Sequence, residues 1–600
     1  MLLLLASLAA LLAGPLIVRA FGASHALLSL LDAFVITSIT GLVFLEVLPS
    51  ALVGAGLWPV AAAVVGLWLP RGLEHVLEGR RTEGRGRALL VVAALVGLAI
   101  HAMLDGAALA PTAAAHEHGH VPGTGDWGLG LSVILHRIPF GLVIWWTVRP
   151  RHGVLPAAGL LVLIATATVG GYALGQIGVR ELPTTALLTF QALVAGALLH
   201  IVFEHPVDDP TGEARKPSDN HVPAGLGALS GAALVVAVIL LHGDAHGAGE
   251  HAHSDPAGAA LELALRLAPA LLLGLGLVVA ASQLRPAAAA PLRFLRGALA
   301  GARTLPRLAA PDKAPPAHAI AASVLGLDVV LASWAAFGAG MTALRGGAAA
   351  LVALLLAAVS TRWAAAAPAP IDTANAPPPG TAPTARAAVA QALDRGIPWV
   401  AFGLLTAGLA QAALPADSLA TLSAPASLAL ALVLAWPAYL CGLGLTPIVL
   451  VMLGAGFAPG AALVMLILAP AAHPAALAHL AAGRRLAHRS MTALLALTAG
   501  VLTYTLWTPA IDRAAHAHEP SLTLLAEHPL NALALALLLA LAAARLLQRG
   551  PRALLAELTP GGGLHRHHPH LGGARAPAAI LGGFSASDHD HGHDHHHHDH

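Results

Sequence analysis

Charge is what this sequence has least of. Only 10% of the 600 residues are Asp, Glu, Lys or Arg, against about a quarter in ordinary soluble domains. Lys occurs only at Lys216 and Lys313. So few charges cannot cover a water-facing surface, and a soluble globular fold is excluded. A formal net charge of +1 without a clustered basic face gives no reason to expect a nucleic-acid partner. Cys441 is the sole cysteine, which rules out an intrachain disulfide and a Cys-based zinc knuckle. The chain also lacks an HExxH zinc motif, a Walker loop and a Rossmann fingerprint, so an enzyme is not expected.

Apolar residues take the place that charge leaves, at 57% of the chain with a mean hydropathy of +0.74. A helix crossing a bilayer needs about 20 apolar residues. Runs of that kind recur at 2–18, 27–49, 53–69, 88–111, 128–148, 154–177, 184–203 and 224–241, then at 261–282, 317–340, 348–362, 397–414, 426–451, 491–507 and 530–547. The expected fold is all-α, a polytopic integral membrane protein of about 15 spanning helices. The first run lacks a basic leader and an A-x-A cleavage site, and reads as a retained helix.

Basic residues orient these helices. Arg19, the group Arg71, Arg80, Arg81, Arg85 and Arg87, the pair Arg149 and Arg151, and Arg215 with Lys216 fall in alternate loops. The positive-inside rule makes those loops cytoplasmic, with the N-terminus outside and the C-terminus inside a bacterial cytoplasmic (inner) membrane. Arg484, Arg485 and Arg489 obey the rule only if 456–482 enters and leaves by one face. Pro459, Pro470 and Pro474 suit such a re-entrant pair of half-helices.

Ionisable residues inside apolar runs each cost about 2.5 kcal/mol or more on insertion scales, so they mark function or pairing. His101 and Asp105, in 88–111, are spaced i, i+4 and share a helical face. His136 and Arg137 lie in the next run. His and Asp are ordinary ligands for divalent metals, which suggests a metal path between the two helices. The competing reading has Arg137 in the place of the cation, paired with Asp105 so that both charges are neutralised without metal. A third has these side chains as satisfied polar packing groups. Glu74, His75 and Glu78 fit either an exit station for an ion or a solvated interfacial face.

These two runs resemble the ZIP (Zrt-/Irt-like) family of divalent metal transporters. His101-x-x-x-Asp105-Gly106 matches that family's HNxxDG, and His136-Arg137-Ile138-Pro139 matches HEIPHE. Glu46-Val-Leu-Pro49 is similar to HLLPE with Glu for His, and Ala195 to His200 with Glu204-His205-Pro206 resembles the seventh helix. The resemblance covers about 1–245 and implies eight helices, an outside N-terminus and transport of a divalent metal. Ala102, Arg137 and Phe140 stand where the family has Asn, Glu and a second His or Glu, and helix 6 adds no carboxylate. The implied ligands for a single ion are therefore His101, Asp105 and His136, with Glu46. Zinc is the expected metal, and the absence of thiolate leaves Mn²⁺, Fe²⁺ or Co²⁺ open.

Past a His-rich loop at 246–257 the character changes, and 258–548 reads as a second membrane domain. Residues 365–383, rich in Pro, form an internal linker. Gly and Pro punctuate the apolar run from Pro437 through Cys441, Gly442, Gly444 and Pro447 to Gly460. Such breaks are tolerated at membrane depth only where backbone is buried in protein or lines a cavity. This part resembles the predicted-permease family, whose members include exporters of organoarsenicals, best at Ala455 to Leu463 and again at Leu325 to Leu331. The cysteine-containing turn of the first repeat is missing here, so Cys441 is either a substrate contact or a small buried hydrophobe.

The chain carries 34 His, and the segment 549–600 reads as a disordered cytoplasmic tail that collects metal. His589, His591, His593, His595, His596, His597, His598 and His600, mixed with Asp and Gly, bind divalent metal without a fold. A purification tag is the bland alternative. The reading as a whole is a transporter of divalent transition metal ions, with no resident cofactor. Its partners are the metal and membrane lipid, and a homodimer is allowed. The rivals are a heavy-metal or metalloid exporter run by the second half, and a metal sensor or scaffold that transports nothing.

Overall fold

The computed structural model describes residues 1–21, 25–56, 58–78, 85–110, 125–177, 184–204, 221–243, 256–283, 326–360, 384–414, 417–436, 440–471, 482–506 and 529–558. Every regular element among them is helical. Among the described residues seven helices are long and apolar enough to cross a membrane: Ala26–Leu52, Val154–Gln176, Val222–Ile239, Pro256–Ala280, Leu327–Val352, Ala385–Ala413 and Pro529–Arg549. Shorter apolar helices lie between them, such as Leu95–Ala107 and Thr185–His200. Large apolar side chains point outward, including Leu155, Val162, Leu533 and Leu539. In a chain with so little charge, that pattern fits lipid as the surrounding solvent.

The N-terminal part contains α1 (Leu2–Phe21), α2 (His25–Leu42), α3 (Leu48–Ala55), α4 (Trp58–Glu78), α5 (Arg85–Ala108), α6 (Gly125–His152), α7 (Val154–Ile177), α8 (Thr184–Glu204) and α9 (Val222–Gly243). A π-helical turn, Val43–Val47, joins α2 to α3. The helices pack as pairs, α1 on α6, α2 on α9, α4 on α8 and α5 on α7. In lipid, association rests on close packing rather than on expulsion of water, so small residues sit at the contacts. A Cβ on Gly196 would lie 2.0 Å from the Ala63 carbonyl oxygen, and one on Gly227 would lie 1.9 Å from that of Leu30.

The C-terminal part contains α10 (Pro256–Gln283), α11 (Leu327–Ser360), α12 (Ala385–Ala413), α13 (Ala424–Ala435), α14 (Gly442–Gly454), α15 (Pro459–Ala471), α16 (Ala482–Leu506), α17 (Pro529–Arg549) and α18 (Pro551–Leu555). Its core is built on α15, whose residues from Gly460 to Ala471 are all buried. At 13 residues, α14 and α15 are each about 20 Å long, short of the roughly 30 Å of a hydrocarbon core. The run 426–451, punctuated by Gly and Pro, forms two helices, α13 and α14, separated around Cys441, which is extended at φ −64° and ψ 147°.

The helical hairpin expected at 317–340 and 348–362 differs. Arg345, Gly346 and Gly347 do not form its turn; the break is at Gly338, whose φ of 75° and ψ of −178° are open essentially to Gly alone. Arg345 donates from Nη1 to Ser333 Oγ across this break. In a straight helix the Cα atoms of residues twelve apart lie about 18 Å from each other, beyond the reach of Arg and Ser side chains, so the two arms fold toward one another. Arg266 of α10 donates to the Ala336 carbonyl beside the break at 3.4 Å.

Residues 549–558, expected to open the tail, are instead helical from Pro551 and tied down by ion pairs. Helix α17 packs on both α9 and α10, and thereby joins the two parts of the chain. They meet again where α12 packs on α3, with Phe44 and Phe402 edge to face at a centroid distance of 6.4 Å. The tail histidines His589 to His600, the linker 365–383 and the loop 246–253 lie outside the described residues.

A buried charge centre between three helices

The N-terminal bundle closes around Asp105, Arg137 and Thr168, one from each of α5, α6 and α7. All three are buried, with Arg137 only 1% exposed. Arg137 Nη2 donates to Asp105 Oδ2 at 2.9 Å, and its Nη1 donates to Thr168 Oγ1 at 3.0 Å. The Thr168 hydroxyl spends its own proton on the Ile164 carbonyl at 2.8 Å, which leaves its lone pairs to accept from the guanidinium. Leu11, Phe140, Ile144, Leu161 and Ile164 form the apolar shell beside the centre.

Glycine sets the spacing of two of these helices. A Cβ on Gly106 would sit 2.0 Å from the Thr168 carbonyl oxygen, and one on Gly171 would sit 1.9 Å from that of Met103. Only bare backbone lets α5 approach α7 closely enough for Thr168 and Asp105 to meet the same guanidinium. The residue after Asp105 in the His101-x-x-x-Asp105-Gly106 pattern thus has a packing duty here.

His101 lies one turn before Asp105, its Nε2 at 3.6 Å from Asp105 Oδ2. That distance is longer than a hydrogen bond and places imidazole and guanidinium about the same carboxylate oxygen. The His101 ring stands 6.2 Å from that of Phe140 at 60°. Of the four side chains named from the sequence as helix ligands, His101 and Asp105 are thus neighbours. Glu46 sits in the π-helical turn Val43–Val47, a class of distortion frequent at functional sites. Among the described residues no three His, Cys, Asp or Glu side chains gather as a metal group, so Glu46 does not join that pair. The side chains of His136, Glu74, His75 and Glu78 lie outside the described residues.

The electrostatics follow from burial. A carboxylate and a guanidinium moved into an apolar interior repay their desolvation only when paired and hydrogen-bonded, as these are. With Arg137 in place, Asp105 Oδ2 already faces one positive charge. A divalent ion at the same oxygen must share it with Arg137 or displace it. The sequence carries half of this arrangement, Arg137 in an apolar run one helix after Asp105. Thr168 gives no sequence signal, being an ordinary Thr in an apolar helix until packing brings it to Arg137.

Comparison of the chain with protein-family models, with curated proteins and with solved structures gives no match.

Proposed function

We propose that this chain is a membrane transporter of divalent transition metal ions, zinc the expected one, in which Asp105 exchanges between Arg137 and the transported ion. The observation that carries this reading is the buried Asp105 carboxylate with His101 Nε2 at 3.6 Å and Arg137 Nη2 at 2.9 Å. A carboxylate and an imidazole are two ligands for a divalent cation, and the guanidinium holds the carboxylate in charge balance while the ion is away. In this reading His136, from the next helix, adds a third ligand, and the His-rich tail concentrates the ion on the cytoplasmic side. The topology that goes with this reading has about 15 crossings with a re-entrant segment at 456–482, N-terminus outside and C-terminus inside a bacterial inner membrane. Lipid and the metal are its partners, and a homodimer is compatible with it.

The test uses the Arg137→Met variant. Its unpaired buried carboxylate lowers the unfolding temperature when zinc is chelated, and added zinc restores it by binding in place of the guanidinium. Zinc flux into proteoliposomes carrying this variant half-saturates at a concentration at least tenfold lower than for the unaltered protein. Destabilisation that zinc does not relieve counts against exchange.

A second reading rests on Thr168. With Nη1 and Nη2 of Arg137 both engaged, the centre is a permanent structural tie, and metal is bound only by the His-rich segments of a non-transporting scaffold. Absence of zinc flux from the unaltered protein, with zinc still bound per chain, favours that alternative. A metal or metalloid exporter run by 258–548 predicts that flux survives loss of the Asp105 centre.

A further inference from the structure

The second part of the chain buries an arginine that the function above does not use. Arg345 is 2% exposed, in the longer arm of α11 beyond the break at Gly338. Its Nη1 is spent on two hydroxyls, donating to Ser333 Oγ and, at 3.3 Å, to Thr446 Oγ1 of α14. Both hydroxyls donate onward to carbonyls one turn back, Ser333 to Val329 at 2.7 Å and Thr446 to Gly442 at 2.7 Å, and so are fixed as acceptors. Nε and Nη2 are fully buried and have no hydrogen-bond partner. These two groups form one edge of the guanidinium, the fork that pairs two oxygens of a carboxylate or phosphate side by side.

The fork points at the start of α14. A Cβ on Gly442, the first residue of that helix, would lie 2.9 Å from Arg345 Nη2. Cys441 is the N-cap, and its side chain makes no capping hydrogen bond. The first N–H groups of a helix have no partner within it and carry the positive end of its dipole. Two sets of donors therefore converge at Gly442, the guanidinium edge and the N-terminus of a 13-residue helix, against Val329, whose Cγ1 would lie 3.0 Å from a Cβ there. The acidic groups that act on Arg345 are Asp328 and the Cys441 thiol. Neither takes the fork, and Asp328 Oδ1 accepts from the Val329 N–H at 3.0 Å. An unpaired guanidinium edge in an apolar interior costs more than one that meets an acceptor.

We propose that the Arg345 edge and the N-terminus of α14 form a binding site for a small free oxyanion, enclosed between the folded helix α11 and the broken segment that contains α14. The tetrahedral or planar O–X–O group of a phosphate, sulfate or carboxylate matches the fork, and halide does not. The site is independent of the Asp105 centre and makes the second part of the chain a binder of anions.

The experiment is thermal unfolding of the full-length protein, stripped of lipid in a non-ionic detergent, against rising sodium phosphate, sulfate or acetate, with sodium chloride at matched ionic strength and pH. A saturable rise of several degrees with at least one oxyanion and none with chloride is expected. Arg345→Lys keeps the charge without the fork, and Gly442→Ala keeps every charge and places a methyl against Nη2. In either variant that folds, the half-saturating oxyanion concentration rises at least tenfold. No saturable rise in the unaltered protein, an equal rise with chloride, a rise with anionic lipid alone, or unchanged affinity in a folded variant overturns the proposal.

Discussion

Arg552 holds Asp32 by two hydrogen bonds, Nε to Oδ2 and Nη2 to Oδ1, both 2.6 Å long, between residues 520 positions apart in the chain. A few residues earlier, Arg545 grips Asp394 by the same fork at 2.8 Å and 2.8 Å, with Arg549 Nε adding a third bond at 3.1 Å. The end of α17 and the start of α18 thus fasten α12 of the second part and α2 of the first. Arg552→Gln is expected to lower stability by about 1–3 kcal/mol, between the values for exposed and buried pairs. Exchanging the charges, Asp32→Arg with Arg552→Asp, recovers part of the loss. Unfolding monitored in detergent decides this, and truncation before Pro529 should lower the stability of both parts together.

The fold of α11 depends on one residue. Gly338→Ala forces a side chain into a backbone region that costs about 1–3 kcal/mol, and it should destabilise the protein accordingly. Gly340 and Gly347 lie in the same element with open space where a Cβ would be. Gly340→Ala and Gly347→Ala are therefore expected to be near neutral in the same unfolding assay, unlike Gly338→Ala.

Much of this architecture is legible in the sequence because hydrophobic length and helix breakers act locally. Among the described residues most of the apolar runs lie in helices, and Pro437, Gly442 and Pro447 mark a segment that breaks into α13 and α14. His101 and Asp105 share a face by spacing alone. What could not be read depends on tertiary partners. Arg345, followed by two glycines, has the composition of a turn, yet it is helical and buried, with its Nη1 donating to Ser333 and Thr446. Arg549 and Arg552 look like charges set at a membrane face, and their carboxylate partners lie 155 and 520 residues away in the chain. Thr168 is invisible for the same reason.

The α5–α7 contact yields a sharper contrast. Gly106→Ala and Gly171→Ala each drive a methyl into a carbonyl on the facing helix, an overpacking expected to cost about 1–3 kcal/mol. Each should also loosen Thr168 from Arg137. Gly97, on the same α5, has nothing within 4 Å of its Cβ position. Gly97→Ala serves as the control, and hydrogen exchange at α5 and α7 reports the loosening.

Removal of the chain after Gly561 tests the role given to the tail. Zinc bound per chain falls, counted by equilibrium dialysis, while the unfolding temperature and basal flux stay as they were, because a metal-collecting segment adds little to a packed fold. Flux abolished by this deletion would place the tail within the path.

The central claim is that the Asp105 centre lies on the route of the ion. Replacing one member alone strands a buried charge, so the direct measurement uses the neutral double variant Asp105→Asn with Arg137→Met, which removes the charges together. Zinc flux is followed into proteoliposomes holding equal amounts of folded protein. The account predicts saturable flux through the unaltered chain and at least a tenfold loss in the double variant at an unfolding temperature close to the original. Flux through the double variant at the original rate would contradict it.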